Sequence, residues 1–309
     1  MKRCLALLLA LVLCLSLSAC GDDSTATDPT PSKNPPPTGF SPPKTTPKSQ
    51  EAPEEPMTVS IADIAEREIF NQNGITVTFS FADADGLSGL ELHLFVENNS
   101  DKEISLDAIN ASINDVMMDT FIPDKISSGK KANTYINFYS DELERAGIQT
   151  VKNVEFTLRV MEPSSWTTLC ESEPIIIAAP GDEDYSQTYD DSGLTIVDQN
   201  DIKIVVRELQ AETTSWDTRL QLYIENNGTV DATIRTDDTS VNDFMLYALF
   251  HCEVQAGKKS FTDFSFSNDD LVANDISSIQ TIETIFEART WREPKETIFE
   301  TEPITITLE

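Results

Sequence analysis

Residues 97–121 read ENNSDKEISLDAINASINDVMMDTF, and residues 225–249 read ENNGTVDATIRTDDTSVNDFMLYAL. Glu97 and Glu225 stand 128 positions apart, and the same offset brings Asn114-Asp115 to Asn242-Asp243, Met117 to Met245, and Gly129-Lys130-Lys131 to Gly257-Lys258-Lys259. Towards the ends the offset drifts by one: Gln72-Asn73 matches Gln199-Asn200, and Glu173-Pro174 matches Glu302-Pro303. A nearly ungapped repeat of this length is a duplicated domain, since solenoid units run to only a few tens of residues. The first copy occupies residues 57–179 and the second 194–309. The acidic stretch PGDEDYSQTYDDSG, residues 180–193, links them.

Each copy alternates apolar and polar residues with the period of a half-buried strand. Ile75, Val77, Phe79 and Phe81 do so, as do Leu92, Leu94 and Val96, answered by Leu220, Leu222 and Ile224 in the second copy. Val154, Phe156, Leu158 and Val160 continue the pattern, and Ile304, Ile306 and Leu308 close it. The Asn-Asn pairs suit a turn with positive φ, and Gly-Lys-Lys suits a second turn leading into a strand. One short helix interrupts each copy. Ser140 is placed to cap DELERAG, with Asp141 and Glu142 at the positive end of the helix dipole and Gly147 as its stop, and Asn268 opens the matching DDLVAND. The expected fold is all-β: two tandem immunoglobulin-like β-sandwiches, each with one short helix. The cysteine pair and core tryptophan of antibody domains are missing. The run from the ENN turn through NDVMMDTF, GKKAN and SDELERAGI resembles modules of exported, Firmicutes-type cell-surface lipoproteins whose function is uncharacterised. The resemblance implies a cell-surface location and an immunoglobulin-like fold, and it brings no active residues.

The first residues, MKRCLALLLALVLCLSLSACGDD, place Lys2 and Arg3 ahead of an apolar run, the layout of a secretory signal peptide over residues 1–19. Leu17-Ser18-Ala19-Cys20 resembles the lipobox of bacterial lipoproteins, which implies lipid attachment at Cys20 and cleavage before it. Two acyl chains suffice for stable anchoring, at roughly 0.8 kcal/mol per buried methylene. Between Gly21 and Pro56 lie ten of the sixteen prolines, with Phe40 as the single aromatic. Such a segment, with the lipidated cysteine spanning 20–56, buries too little apolar surface to order itself and forms a disordered stalk.

The formal net charge of −31 becomes about −33 once Lys2 and Arg3 leave with the signal. A surface of that sign repels DNA, RNA and anionic lipid headgroups, so no nucleic acid is expected as a partner. The membrane is reached through the N-terminal lipid alone. Of five cysteines only Cys170 and Cys252 remain in the body, one per copy, which suits two unbridged thiols. No G-x-S-x-G, H-E-x-x-H or G-x-x-x-x-G-K-[ST] motif is present, and no catalytic residue, metal site or cofactor is expected. Asp83-Ala84-Asp85-Gly86 echoes part of a calcium loop, but its twelfth position holds Leu94 where a bidentate Glu is required. His93 and His251 read as surface residues.

Two sets of residues stand out as candidate binding surface. Lys130, Lys131, Lys258 and Lys259 concentrate scarce positive charge in two turns, either as a patch for an anionic glycopolymer or as counter-charge for nearby carboxylates. Trp166, Trp216 and Trp291 lie in polar, turn-like stretches, where an indole either folds back to seal the core, the favoured reading, or offers a stacking platform. The sum is an expectation of a lipid-anchored, extracytoplasmic binding or interaction protein of the cell membrane, not an enzyme, with a cell-envelope protein or glycopolymer as partner and duplication supplying avidity. A structural spacer is the alternative; a solute-binding lipoprotein and a cell-envelope hydrolase rank lower. Cells fed labelled palmitate should incorporate it into this chain and lose that labelling in Cys20→Ala; labelling that persists in the variant would remove Cys20 as the acceptor.

Overall fold

A computed structural model describes residues 58–181, 185–208 and 211–308. The expected signal peptide, Cys20 and the expected proline-rich stalk lie outside the described residues. The first repeat comprises β1 (Arg67–Gln72), β2 (Ile75–Gly86), β3 (Gly89–Asn98), β4 (Ile104–Ile113), β5 (Lys130–Tyr139), α1 (Ser140–Arg145), β6 (Asn153–Glu162), β7 (Thr167–Glu171) and β8 (Ile175–Ala178). The second follows as β9 (Leu194–Gln199), β10 (Ile202–Val206), β11 (Asp217–Asn226), β12 (Ala232–Val241), β13 (His251–Val254), β14 (Lys259–Ser267), α2 (Asn268–Ala273), β15 (Thr281–Thr290), β16 (Thr297–Glu300) and β17 (Ile304–Thr307).

In the first repeat one sheet runs β1-β2-β3-β5 and ends on the short strand Thr120–Phe121, while the other joins β4 to β6 and β6 to β7 and β8. The second repeat has β9-β10-β11-β14 with Ala248–Leu249 against β12, β15, β16 and β17. With β2 and β10 taken as strand A, both repeats give the order ABED on one sheet and CFG on the other, the constant-type immunoglobulin arrangement. β1 and β9 are extra edge strands beyond A. Each helix sits at the E–F crossover and buries one leucine, Leu143 or Leu271.

The sheets face each other across two separate cores. Val77, Phe79, Leu92, Phe138, Phe156 and Leu158 lie at the centre of the first, and Ile204, Leu222, Phe264, Phe266, Phe286 and Ile306 at the centre of the second. One alternating residue departs from the expected pattern. The register of β2 against β3 shifts between Phe79 and Phe81, which turns Phe81 outwards at 51% exposure. A bulge adds one residue to the strand and so reverses the face of the residues beyond it.

The hairpin turns also differ from the expected ones. Positive φ belongs to Asn73-Gly74, Asn114-Asp115, Asn200-Asp201 and Asn242-Asp243, all two-residue connections with both central residues left-handed, as a type I′ turn needs. None of Asn98, Asn99, Asn226 or Asn227 has it. Asn98 is instead fully buried, and its Nδ2 donates to Lys102 O at 2.8 Å and Ile126 O at 2.9 Å. Asn226 repeats this with Val230 O at 2.9 Å and Val254 O at 3.1 Å. These amides tie strand B to the chain that enters strand C and to the short strand ahead of E. Gly129 and Gly257 do turn with left-handed φ, 69° and 75°, before β5 and β14. The helix stop is confirmed at Gly147, with φ 65°, but Ser140 is the first helical residue, and the N-cap, Tyr139, makes no side-chain capping bond.

Ahead of β1, Ser60–Ile61 pairs in parallel with Thr150–Val151. Between the repeats, the two-residue strand Val116–Met117 adds to the edge of β14, with Val116 opposite Lys259. That single rung, closed by Lys259 N–H donating to Asp115 O at 2.9 Å, joins the CFG sheet of the first repeat to the ABED sheet of the second.

Truncating Asn226 strands one buried carbonyl, Val254 O, and one partly buried, Val230 O, and a buried polar group costs about 1–3 kcal/mol when left unsatisfied. Asn226→Ala should therefore lower the stability of the second repeat by about 2–4 kcal/mol, read as a shift in its urea midpoint, whereas Asn227→Ala should leave that midpoint in place.

Candidate binding groove between the repeats

The joint is built from the turn at Asn114-Asp115, the linker and the start of β14. Lys258 reaches back to the first repeat, its Nζ lying 2.9 Å from Asp115 Oδ1 and 2.8 Å from Glu155 Oε2, with its side chain only 12% exposed. Burial pulls the Lys258 ammonium down in pKa, but the hydrogen bonds to Glu155 and Asp115 outweigh it and hold the pKa above the ordinary lysine value. Lys259 places its Nζ 4.6 Å from the Tyr189 ring centroid, and the Tyr189 hydroxyl donates to Asn114 O at 2.6 Å. Burial, with the charges of Asp115 and others adding to it, pushes that phenol up to about 12.

Arg207 completes the joint. Its guanidinium lies 5.1 Å from the Phe261 ring centroid, donates to Arg145 O at 3.2 Å and pairs with Asp190 of the linker at 2.6 Å. Bonds from Ser192 and Arg207 hold the Asp190 carboxyl down at about 2. Asp191 is engaged by Lys203 at 2.8 Å. Nearer its start, Lys152 Nζ donates to Tyr185 O at 3.0 Å, so the acidic linker is held at both ends of the stretch 185–193. Phe261 packs against the first core and Met117 against the second, so each repeat helps to cover the other.

Beside this joint lies a groove of about 850 Å³. One wall is the outer face of the first repeat's CFG sheet, with Asp107 and Arg159, followed by Met118, Asp119 and Glu142. The opposite wall comes from the second repeat: Asp231, His251, Glu253, Trp291 and Arg292. Six carboxylates line it, those named and Glu171, against two arginines, and Arg159 is already paired with Asp107. The groove is therefore acidic, with Ile109, Met117, Met118, Phe261 and one indole among its apolar elements. Glu142 is its one clearly perturbed carboxylate among the described residues: Oε2 accepts the Asp119 N–H at 2.9 Å, and burial, with the neighbouring Asp119 and Asp141 charges adding to it, raises the carboxyl to about 7 against the lowering effect of that bond.

The structure brings only part of the expected set together. Trp291 is half-buried on the groove wall, its backbone N–H donating to Asp231 O at 3.0 Å. Trp166, at the β6–β7 turn with φ 55°, and Trp216, before β11, do not seal the cores; they are 75% and 84% exposed and stand outside the groove. Lys258 and Lys259 sit in the joint, whereas Lys130 is exposed and Lys131 is bound to Glu97 with its Nζ 5.7 Å from the Phe95 ring. His93 stacks on Phe81 at 4.2 Å with Nε2 3.2 Å from Glu91, and His251 lies 3.4 Å from Glu253. Cys170 and Cys252 are free thiols, and burial pushes the second up to about 12. Asp83 to Gly86 forms the end of β2, where Asp83 accepts the Asp85 N–H. Among the described residues no cluster of three metal-binding side chains occurs, and no helix is long and apolar enough to cross a membrane.

The groove itself was invisible to sequence reading, because its residues come from separate strands of two copies and none belongs to a motif. The departures between copies are the signal that was available: His251 faces Pro123 in the alignment, and Trp291 has no aromatic counterpart.

No known protein family matches the chain, and no curated protein does. Among solved structures, a Salmonella enterica SafA pilin in complex with the SafB chaperone is similar at 13% identity, with 71% of this chain and 89% of that chain covered and a TM-score of 0.19. A Porphyromonas gingivalis W83 protein of unknown function gives 11% identity, 71% and 91% coverage and the same TM-score of 0.19. At these scores the fold assignment rests on the strand order itself.

The raised Glu142 pKa has a definite sign. A carboxyl whose folded pKa exceeds its unfolded one adds stability while protonated; that contribution is complete below the unfolded value near 4.5 and lost as pH rises through about 7. Glu142→Gln should match the parent chain near pH 4 and exceed it at pH 8 by about 1–3 kcal/mol, as read from denaturant unfolding at the two pH values.

Proposed function

We propose that this chain is a lipid-anchored, extracytoplasmic interaction protein without catalytic activity, and that the groove between its repeats receives a basic peptide segment of a cell-envelope partner. The observation that carries this reading is the groove's charge: six carboxylates against two arginines, one of them already paired, with Trp291 as a flat wall. An acidic, partly desolvated cleft favours cations, and an aromatic face beside it adds cation–π attraction. The two-sandwich architecture agrees with an interaction module, and the geometry is fixed in advance, because Lys258, Arg207 and Tyr189 lock the repeats before any ligand arrives. Preorganisation of this kind lowers the ordering cost of binding. The anchor and location rest on residues 1–20, through the signal peptide and Cys20.

The test is a titration of the full-length chain in detergent with a short lysine-rich peptide and its glutamate-rich counterpart. The lysine peptide should bind and quench indole fluorescence, the glutamate peptide should not bind, and affinity should fall with salt. Because the whole surface is acidic, the variants decide: Trp291→Ala and Glu253→Lys should each weaken binding about ten-fold. Equal affinity in these variants would show attraction to the general surface and remove the groove as the site.

A further inference from the structure

The contact between the repeats is head to tail. The C–D turn of one repeat meets the start of strand E on the next. Two different surfaces are involved, and duplication has given both to both repeats. One copy of each is used inside the chain, so one copy of each is left over, at opposite ends of the molecule. Heterologous contacts of this kind propagate into rings or open chains.

The turn that is used consists of Asn114 and Asp115, followed by Val116 and Met117, with Glu155 beside it. Its unused counterpart, 128 positions on, is Asn242, Asp243, Phe244 and Met245, with Glu283 in place of Glu155. The two turns are built alike. Asn114 Nδ2 donates to Thr150 O at 2.7 Å, and its Oδ1 accepts the Lys152 N–H at 2.8 Å. Asn242 Nδ2 donates to Ser278 O at 2.8 Å, and its Oδ1 accepts the Gln280 N–H at 2.9 Å. Each of those partners is also displaced by 128. The central φ values are 48° and 65° in one turn and 48° and 69° in the other. What differs is cover. Val116 is 1% exposed and Met117 packs on the neighbouring core, whereas Phe244 is 47% and Met245 66% exposed, with Tyr247 and Leu249 open beside them. Asp243 and Glu283 are exposed and make no ion pair among the described residues.

The receiving surface is duplicated as well. Lys258 immediately precedes β14, which Lys259 opens, and Lys130 and Lys131 open β5; Lys259 stands opposite Glu225 as Lys131 stands opposite Glu97, and a left-handed glycine comes before each lysine pair. Lys259 pairs with Glu225, and Lys131 with Glu97. The outward aromatic Tyr223 is 2% exposed in the joined repeat; its counterpart Phe95 remains half-open, near the exposed Phe81. Among the described residues β5 is paired on its outer side only at Asn137 and Phe138, so none of them occupies the edge at Lys131, where its twin Lys259 receives Val116. The copies are not identical here. Asn133 replaces Phe261, and Ala273 and Tyr135 replace the ion-paired Arg145 and Asp263, which makes the open contact weaker than the closed one.

We propose that this protein associates with a second copy of itself, head to tail, through the Asp243 turn of one molecule and the Lys130 end of β5 in the next. Lys130 takes the place of Lys258, between Asp243 and Glu283, and Phe244 and Met245 cover the face around Phe95. The contact is reversible, because it lacks the linker that gives the internal joint its high effective concentration. It involves neither the groove nor its acidic lining, so it stands or falls apart from the peptide-binding reading.

Sedimentation of the full-length chain in detergent over a hundred-fold range of about micromolar concentrations tests it. The parent chain should gain mass with concentration. Lys130→Glu and Glu283→Lys should each raise the dissociation constant about ten-fold or more, and an equimolar mixture of the two should recover association, because the unaltered Asp243 turn of the first variant then meets the unaltered Lys130 of the second. Met245→Asp, at an exposed position that carries no folding risk, should also disperse the assembly. All variants share the detergent, so co-residence in micelles cancels from the comparison. A parent chain that stays monomeric throughout overturns the proposal, as does association that survives the single reversals or fails to return on mixing.

Discussion

One ammonium group holds the architecture together. Lys258 crosses from the second repeat to two carboxylates of the first, Asp115 and Glu155, and around it gather the strand rung at Val116, the Tyr189 ring packed on Lys259 and the Arg207 bonds. Removing one member of a fully buried pair costs about 3–5 kcal/mol, and less where solvent still reaches the group, as it does over 12% of this side chain. Its role is chiefly one of specification. Two sandwiches on a 14-residue linker would sample many orientations, whereas a cation between two fixed carboxylates admits one. The groove exists because that orientation is fixed.

The gross plan was legible in the chain, and the reason is physical. Alternation such as that of Leu92, Leu94 and Val96 encodes a face, and a face implies an opposing sheet. Duplication doubled the signal, since each strand could be checked against its twin. The turns were harder to read. Asn98 and Asn226 look like turn formers because asparagine tolerates left-handed φ, yet they are buried and serve as cross-braces. Burial of a polar side chain depends on partners far along the sequence, Ile126 and Val254 here, which local pattern cannot supply. Phe81 failed for a related reason: one bulged residue reverses the face, and nothing in the composition announces it.

Identical words in the two copies also came to mean different things. Gly-Lys-Lys is a solvated turn in the first repeat and the inner side of a joint in the second. Trp166 and Trp291 both follow strand F, but the first stands in solvent while the second forms a wall. A residue's chemistry sets what it is able to do, and the neighbouring repeat decides whether it does it. Sites formed between duplicated domains are therefore concealed by the same symmetry that reveals the domains.

The parallel pairing of Ser60–Ile61 with Thr150–Val151 has a mechanical side. A pull on the chain ahead of residue 58 meets this clasp, with its Ser60 N–H to Gln149 O bond of 2.8 Å, before it reaches β1. Tension entering there is handed to the segment between helix α1 and strand β6 before it reaches the edge strand. Force from that end would therefore open the clasp first and peel β1 only afterwards.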